Sequence, residues 1–391
     1  MNASSTIPHG VWATLVGQTV AVEALRKAAA GQGMSHSWLL TGPPGSGRSN
    51  AAVAFAAALQ CPQQGAGPDC PDGCHACRTV LAGSHADVAV TRTQKLSIGV
   101  DEVRELVRRA SLSPMGERWQ ILIVEDADRL TEQACNALLK AIEEPNGRTI
   151  WMLCAPTVDD VLPTIRSRCR LVILATPTPE QVAGFLVEKG VGESLAKYAA
   201  RASQGHIGRA RALAFDEAVR TRRQEVVAIP ARLTTLGRCM DAATRLATSA
   251  KEEADAITAD LDAREKSDLD ASYGVVERGR RPREYGPALA ALEKAQRTRA
   301  KRRHLDVVDR GLTDLTSVYR DAITLATGAP GALVNEDIRD QVEQLATDST
   351  PELNLRRIGW IFAAREQMLE FNVPVALALE SMMVACKLPQ R

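Results

Sequence analysis

The sequence predicts an α/β domain built on a parallel sheet, followed by a region that is helical throughout. Three observations carry this prediction. Short apolar runs such as Ile121–Val124 alternate with helix-length segments over the first 176 residues, as they do when strands are buried on both faces beneath packed helices. A glycine-rich turn, Gly42-Pro43-Pro44-Gly45-Ser46-Gly47, closes the first such run and opens a helix. Beyond Pro177 the strand signals stop.

In chain order, Val20–Ala30 has helix-forming composition and Ser37–Thr41 is the first strand. An alanine-rich helix follows over Arg48–Leu59, then a cysteine-rich loop and a second strand at Asp87–Thr91. Val100–Ala110 is an amphipathic helix, Ile121–Val124 a buried strand, and Gln133–Glu144 a helix stopped by Pro145. Thr149–Ala155 and Arg170–Leu174 complete the strands. Thr178-Pro179-Glu180 reads as an N-cap with proline in the first turn. Turn signals at Gly190–Gly192 and Gly205–Gly208 divide a small helical segment ending near Phe215.

From Asp216 onward apolar residues recur at three- and four-residue spacing. Ile358, Ile361, Phe362, Met368 and Leu369 are expected to share one face, and Pro374 to open a final helix through Leu388. The expected domains are therefore residues 1–176, 177–215 and 216–391. Within the last, an acidic stretch over Lys251–Asp270 is followed by a basic one over Arg278–Arg303, containing Arg280, Arg281 and Arg283. Charge runs of this kind are expected to form a solvated helical hairpin with its tip around Gly274–Gly286. A nucleic-acid patch is the alternative.

The 391 residues carry 48 Lys and Arg against 47 Asp and Glu, so a net charge of +1 supplies no global field for nucleic acid or membrane. Aromatics at 4% are few for a single-strand binder built on stacking platforms. Met1–Gly10 has no basic start followed by an apolar stretch, and no run of 18 apolar residues occurs, so a cytoplasmic protein with no membrane role is expected. Nine cysteines there are not expected to form disulfides. Cys135, Cys154, Cys169, Cys239 and Cys386 are scattered and read as small buried residues.

The remaining four, Cys61, Cys70, Cys74 and Cys77, are spaced C-x8-C-x3-C-x2-C among Gly65, Gly67, Pro68, Pro71, Asp72 and Gly73. Four thiolates in a loop with so little apolar cover suit a closed tetrahedral Zn²⁺ site, structural rather than catalytic. His75 is expected to lie outside the ligand set. Without an upstream H-x-E, deaminase-type zinc chemistry is disfavoured.

Gly42-Pro43-Pro44-Gly45-Ser46-Gly47-Arg48-Ser49 follows a strand, opens a helix, and matches the phosphate loop G-x-x-x-x-G-K-[ST] except at Arg48. Glycines let backbone N–H groups converge on phosphates at the helix N-terminus, and Ser49 would supply a Mg²⁺-ligand hydroxyl. A planar guanidinium is no simple substitute for a compact ammonium. Ile121-Leu122-Ile123-Val124 ends in Glu125-Asp126, the reverse of the Asp-Glu order that Mg²⁺ binding and water orientation require in an active ATPase. Each carboxylate is thus displaced by one methylene, which near-attack geometry tolerates poorly. ATP or ADP binding with Mg²⁺ remains plausible on this pattern; fast turnover does not. A glycine turn without a ligand is the alternative.

Asn136-Ala137-Leu138-Leu139-Lys140-Ala141-Ile142-Glu143-Glu144-Pro145 and Thr164-Ile165-Arg166-Ser167-Arg168-Cys169, with Val16-Gly17-Gln18, His36, the glycine loop and the cysteine module, strongly resemble the bacterial clamp-loader ATPases of the AAA+ class. The likeness runs from about Val16 to Ala212. It implies a RecA-like nucleotide domain, a helical lid over residues 177–215, and a helical collar over residues 216–391 that joins a ring of five subunits. It further implies that Arg168, in the Ser-Arg-Cys triplet, is an arginine finger acting in trans on the neighbouring subunit's ATP. Arg166 and Arg170 leave a merely solvent-facing arginine as the alternative.

Partners implied by the resemblance are gamma/tau and delta subunits, and through the ring the sliding clamp and primer-template DNA. Arg48, the Glu125-Asp126 order, and Gly208 where the hydrolysing subunit carries a sensor arginine point to the stator of that ring. Arg209 sits one position late, about 100° around a helix. The chain also ends within a helical domain, without the long extension of the tau form. A hydrolytically active gamma/tau-like ATPase is the alternative. The C-x3-C step departs from the family's C-x2-C, and the charged segment over about 251–303 is longer than the family's collar needs.

Overall fold

The computed structural model describes residues 10–62, 70, 73–93, 97–116, 118–274 and 282–387. The chain divides into two units, 1–215 and 216–391. In the first, strands β1 (Ser37–Thr41), β2 (Val88–Thr91), β3 (Gln120–Val124), β4 (Thr149–Ala155) and β5 (Arg170–Ile173) form one parallel sheet in the order β2-β3-β4-β1-β5. Leu39 of β1 stands opposite Leu153 on one side and Leu171 on the other.

Every residue of β1, β3 and β4 is buried, which explains their unbroken apolar runs. Alternate side chains enter two cores. Trp38, Leu40, Ile121, Ile123, Ile150 and Met152 face one layer, into which α1 (Thr19–Ala29) and α2 (Arg48–Gln60) contribute Leu25 and Phe55. Trp38 and Phe55 meet edge to face at 4.9 Å. The small α3 (His75–Leu81) follows α2.

Leu39, Leu122, Val124, Trp151 and Leu153 face the other layer, packed by α4 (Val100–Ala110) and α5 (Glu132–Glu143). Nine of the thirteen residues of α2 are buried, six of them alanines, so this helix lacks the one-sided pattern of a surface helix. A short α6 (Pro163–Arg166) leads into β5, and α7 (Pro179–Glu188), α8 (Glu193–Ser203) and α9 (Ile207–Phe215) complete the unit. Thr178 caps α7 with Pro179 in its first turn, as expected, and Gln181 completes a capping box that the Thr-Pro-Glu start did not announce.

The second unit is all helical: α10 (Glu217–Val227), α11 (Leu236–Ser272), α12 (Tyr285–Thr327), α13 (Arg339–Asp348), α14 (Pro351–Leu369) and α15 (Val375–Ala385). The expected shared face on α14 needs one correction. Ile361, Ala364 and Met368 are buried, whereas Phe362 is 56% exposed; it lies about 100° around the helix from Ile361, outside the stripe. The last helix also ends earlier than expected, at Ala385.

Core residues of α11 run from Cys239 to Ala250, and those of α12 begin at Leu305. Beyond them α11 and α12 continue as a two-helix arm. Its buried residues among those described include Ala254, Thr258, Tyr285 and Arg299. Arg299 is the exception to a fully solvated hairpin: its guanidinium is buried and bonded to Asp262 and Glu265 across the arm. Tyr285 Oη donates to Asp270 at 2.6 Å. Arg278, Arg280 and Arg281 lie outside the described residues, as do Gly65, Gly67, Pro68, Pro71 and Asp72 of the cysteine loop. Among the described residues no helix is long and apolar enough to cross a membrane.

Candidate functional site

Parallel strands place their following loops at one edge of the sheet, where α/β folds bind ligands. Here that edge carries the Gly42–Ser49 loop after β1, Arg92 after β2 and Glu125-Asp126 after β3. Gly47 caps α2 in a left-handed conformation with φ +95°, and the first-turn amides of α2, as at any helix start, lack intrahelical acceptors. A Cβ at Gly42 would stand 2.6 Å from the Leu174 carbonyl oxygen and 2.7 Å from Ser46 Oγ. Pro43 and Pro44 stiffen the outer arc, and the Pro43 carbonyl accepts from Ser46 N–H at 3.1 Å.

The charged groups of this loop are engaged within the chain. Arg48 donates to the Gly42 carbonyl oxygen, bridging the loop's two ends. Glu125 pairs with Arg92 at 2.8 Å and lies beside Ser49. Burial pushes the Glu125 carboxyl above its ordinary range, opposed by Arg92. Burial does the same to Asp128, with Asp126 adding like-charge repulsion. Glu125, rather than Asp126, is therefore the acid next to the serine hydroxyl. Arg92 and Asp128 carried no sequence signal, since nothing in spacing or composition links them to the loop.

Two further side chains brace the loop, Gln18 against the segment after β5 and His206 from within residues 177–215. Gln18 is buried; its amide donates to the Ser46 carbonyl at 3.2 Å and the Ala175 carbonyl at 2.7 Å, and accepts from Ala175 N–H at 3.0 Å. His206 lies against Gly45, where an added Cβ would come 2.2 Å from its Cγ. Ile207 N–H donates to the Gly45 carbonyl at 3.4 Å. Gln18 belongs to a recognised string, but its bridging role was invisible until the chain folded. His36 is bonded to the Thr149 carbonyl at 3.1 Å, a structural position.

The four spaced cysteines converge. The sulfurs of Cys61, Cys70, Cys74 and Cys77 all lie within 4.8 Å of one another, and those of Cys61 and Cys74 are 4.0 Å apart. Tetrahedral Zn–S bonds of about 2.3 Å require S···S separations of about 3.8 Å, so the donor set fits a metal with little adjustment. Backbone N–H groups of Cys74 and Cys77 donate to the sulfurs of Cys70 and Cys74, contacts that favour thiolate. Burial pushes the Cys77 thiol far up, so a metal would be needed to hold it ionised. His75 is exposed and outside the cluster. Among the scattered cysteines, burial pushes Cys154, Cys169 and Cys386 up to about 12, leaving inert thiols. Cys169 is half-buried rather than buried.

Arg168 follows α6 at the surface. It pairs with Glu143 at 2.5 Å and donates to the Thr164 carbonyl at 2.8 Å. Its two neighbours are differently engaged. Arg166 pairs with Asp159 at 3.0 Å, and Arg170 donates to the Gly33 carbonyl while lying over the Trp38 ring at 5.2 Å.

Residues 17–178 match the family described as DNA polymerase III, delta subunit. The chain is 38% identical over 154 residues to the DNA polymerase III subunit delta' of Pseudomonas aeruginosa, covering 39% of this chain and 46% of that one. It is 30% identical over 164 residues to subunit delta' of Bacillus subtilis, covering 42% and 49%. With subunit tau of Bacillus subtilis it shares 31% over 170 residues, covering 44% and 30%. The chain thus spans about half the length of the delta' relatives it matches.

Proposed function

We propose that this chain, whose residues 17–178 match the family described as DNA polymerase III, delta subunit, is a delta'-type clamp-loader subunit: the stator of a five-membered ring with gamma/tau and delta that helps place a sliding clamp on primed DNA. The observation that carries this is the engagement of the nucleotide loop's own charges. Arg48 is bonded to Gly42 and Glu125 to Arg92, so the cation and the acid that a hydrolysing relative directs at phosphate and water are satisfied internally. A gamma/tau-like ATPase is disfavoured accordingly. Any ATP or ADP with Mg²⁺ would lie against Gly42–Ser49, Glu125 and Asp126, where the loop amides would hold phosphate.

Residues 177–215 would act as the lid and residues 216–391 as the collar. His206 and Ile207 would couple lid to loop through Gly45. Zn²⁺ held by Cys61, Cys70, Cys74 and Cys77 would brace the loop after α2 without reacting.

Arg168 would be the group presented to a neighbouring gamma/tau nucleotide. Its pairing with Glu143 is about 40% exposed, and exposed pairs are worth at most about 1 kcal/mol, so the guanidinium is released at little cost. Arg170 is held to its own chain by the Gly33 carbonyl and the Trp38 ring; Arg166, in an exposed pair with Asp159, is set apart from Arg168 by the Ser-Arg-Cys string alone. In a ring reconstituted with gamma/tau and delta, Arg168→Ala should leave assembly intact by gel filtration. A finger is worth about 10³–10⁵ in turnover at the site it serves, so DNA-stimulated ATP hydrolysis by the ring should fall as that site is silenced. Unchanged hydrolysis would refute the finger, and hydrolysis by the isolated chain, abolished by Arg48→Ala, would restore the gamma/tau alternative.

A further inference from the structure

We propose that the second unit holds a phosphate-binding cleft for nucleotide ligands, separate from the glycine loop and independent of the clamp-loader assignment. The cleft, of about 620 Å³, lies where α10 and the following turn face α11. Its floor includes Val226, Ile229 and Leu246, and four arginines line it: Arg222, Arg232, Arg238 and Arg245. Glu225 and Asp241 share the lining. Asp241 is 3.7 Å from Arg245, a loose surface pair. Glu253 lies 3.0 Å from both Arg222 and Arg310, so one carboxylate is divided between two guanidinium groups. The buried Arg222 Nε–H has no aligned acceptor.

Arg232 and Arg238 have no carboxylate partner among the described residues; the Arg238 guanidinium donates to Thr234 Oγ1, at 3.2 Å. The lining therefore carries more cation than anion, with two forks free to bond. Guanidinium forks match phosphate oxygens bidentately, and their planes also stack on bases. The volume is within the range of small-ligand sites. An apolar floor beneath a cationic rim suits a nucleotide, its base against Ile229 and Leu246 and its phosphates against Arg232 and Arg238. The phosphates could be those of a nucleoside triphosphate or of single-stranded DNA.

The test uses the full chain. Binding of ATP, tripolyphosphate and a labelled oligo-dT octamer would be measured by calorimetry and anisotropy in low salt, for wild type, Arg232→Glu/Arg238→Glu and Arg48→Ala. A control, Arg297→Glu/Arg303→Glu, reverses the same charge on an exposed face of α12. Circular dichroism would check each fold. The expected result is a tenfold or greater loss of affinity in Arg232→Glu/Arg238→Glu alone. For the oligonucleotide, two phosphate contacts give a log–log salt slope of about −1.4. Competition between ATP and the octamer would assign the terminal phosphates of a mononucleotide as sufficient; binding of the octamer alone would assign the strand. The proposal fails if wild type binds none of the three probes. It fails equally if the cleft variant matches wild type, if the α12 control loses as much, or if Arg48→Ala alone removes binding.

Discussion

Gln18 connects two parts of the first unit through one side chain. Its amide satisfies the Ser46 carbonyl in the glycine loop and both polar groups of Ala175, ahead of α7. Truncation would leave buried backbone groups unpaired, each worth about 1–3 kcal/mol. Gln18→Ala should therefore lower the melting temperature of the first unit, corresponding to about 2–4 kcal/mol, measurable by calorimetry. The substitutions at the loop itself have similarly local meanings. An arginine is long enough to reach back to Gly42, where a catalytic cation would face a phosphate. A glutamate at position 125 reaches Arg92. Both departures from the ATPase pattern were legible in the sequence as wrong residue types; the partners that absorb them were not, because Gly42 is six positions from Arg48 through a turn and Arg92 reaches Glu125 only across the sheet.

Elements show where patterns of spacing suffice and where they do not. The cysteine spacing alone foretold a common site, because turns separated by two or three residues bring sulfurs within one coordination sphere. One zinc per chain is expected by elemental analysis. Chelation or Cys77→Ser should lower the thermal stability of the first unit by several degrees; absence of metal after native purification would argue against the site. In the α11–α12 arm, charge pattern predicted exposure, yet Arg299 is buried between the helices. Hydrogen bonding to Arg299 holds the Glu265 carboxyl below its ordinary value of 4.5. The ionised acid stabilises the folded arm, so this contribution is fully present above about pH 4.5 and is lost as pH falls through the lower folded value. Glu265 is 32% exposed, which screens the pair. Arg299→Ala should cost about 1–2 kcal/mol at neutral pH and flatten the acid-side loss of helicity followed by circular dichroism; an unchanged acid profile would exclude the pair as its source.

At the scale of the whole molecule, two units with separate cores, 1–215 and 216–391, carry different kinds of information. The first repeats a recognisable order of strands, loops and strings, and the family match stops at residue 178. The second has helical periodicity without such strings, so its arginine cleft passed unnoticed: Arg222, Arg232, Arg238 and Arg245 are scattered over two helices and a turn. The sequence by itself determined the parallel α/β domain, the glycine loop with its altered residues, the four-cysteine set and the helical character of everything after Pro177. These rest on local periodicity and on residues close in the chain. Tertiary structure alone decided the strand order, the bridge from Gln18, the seat of His206 on Gly45, the exposure of Phe362 and the convergence of the cleft arginines. Each of these depends on contacts between distant segments, whose geometry is set by packing rather than by neighbours in sequence.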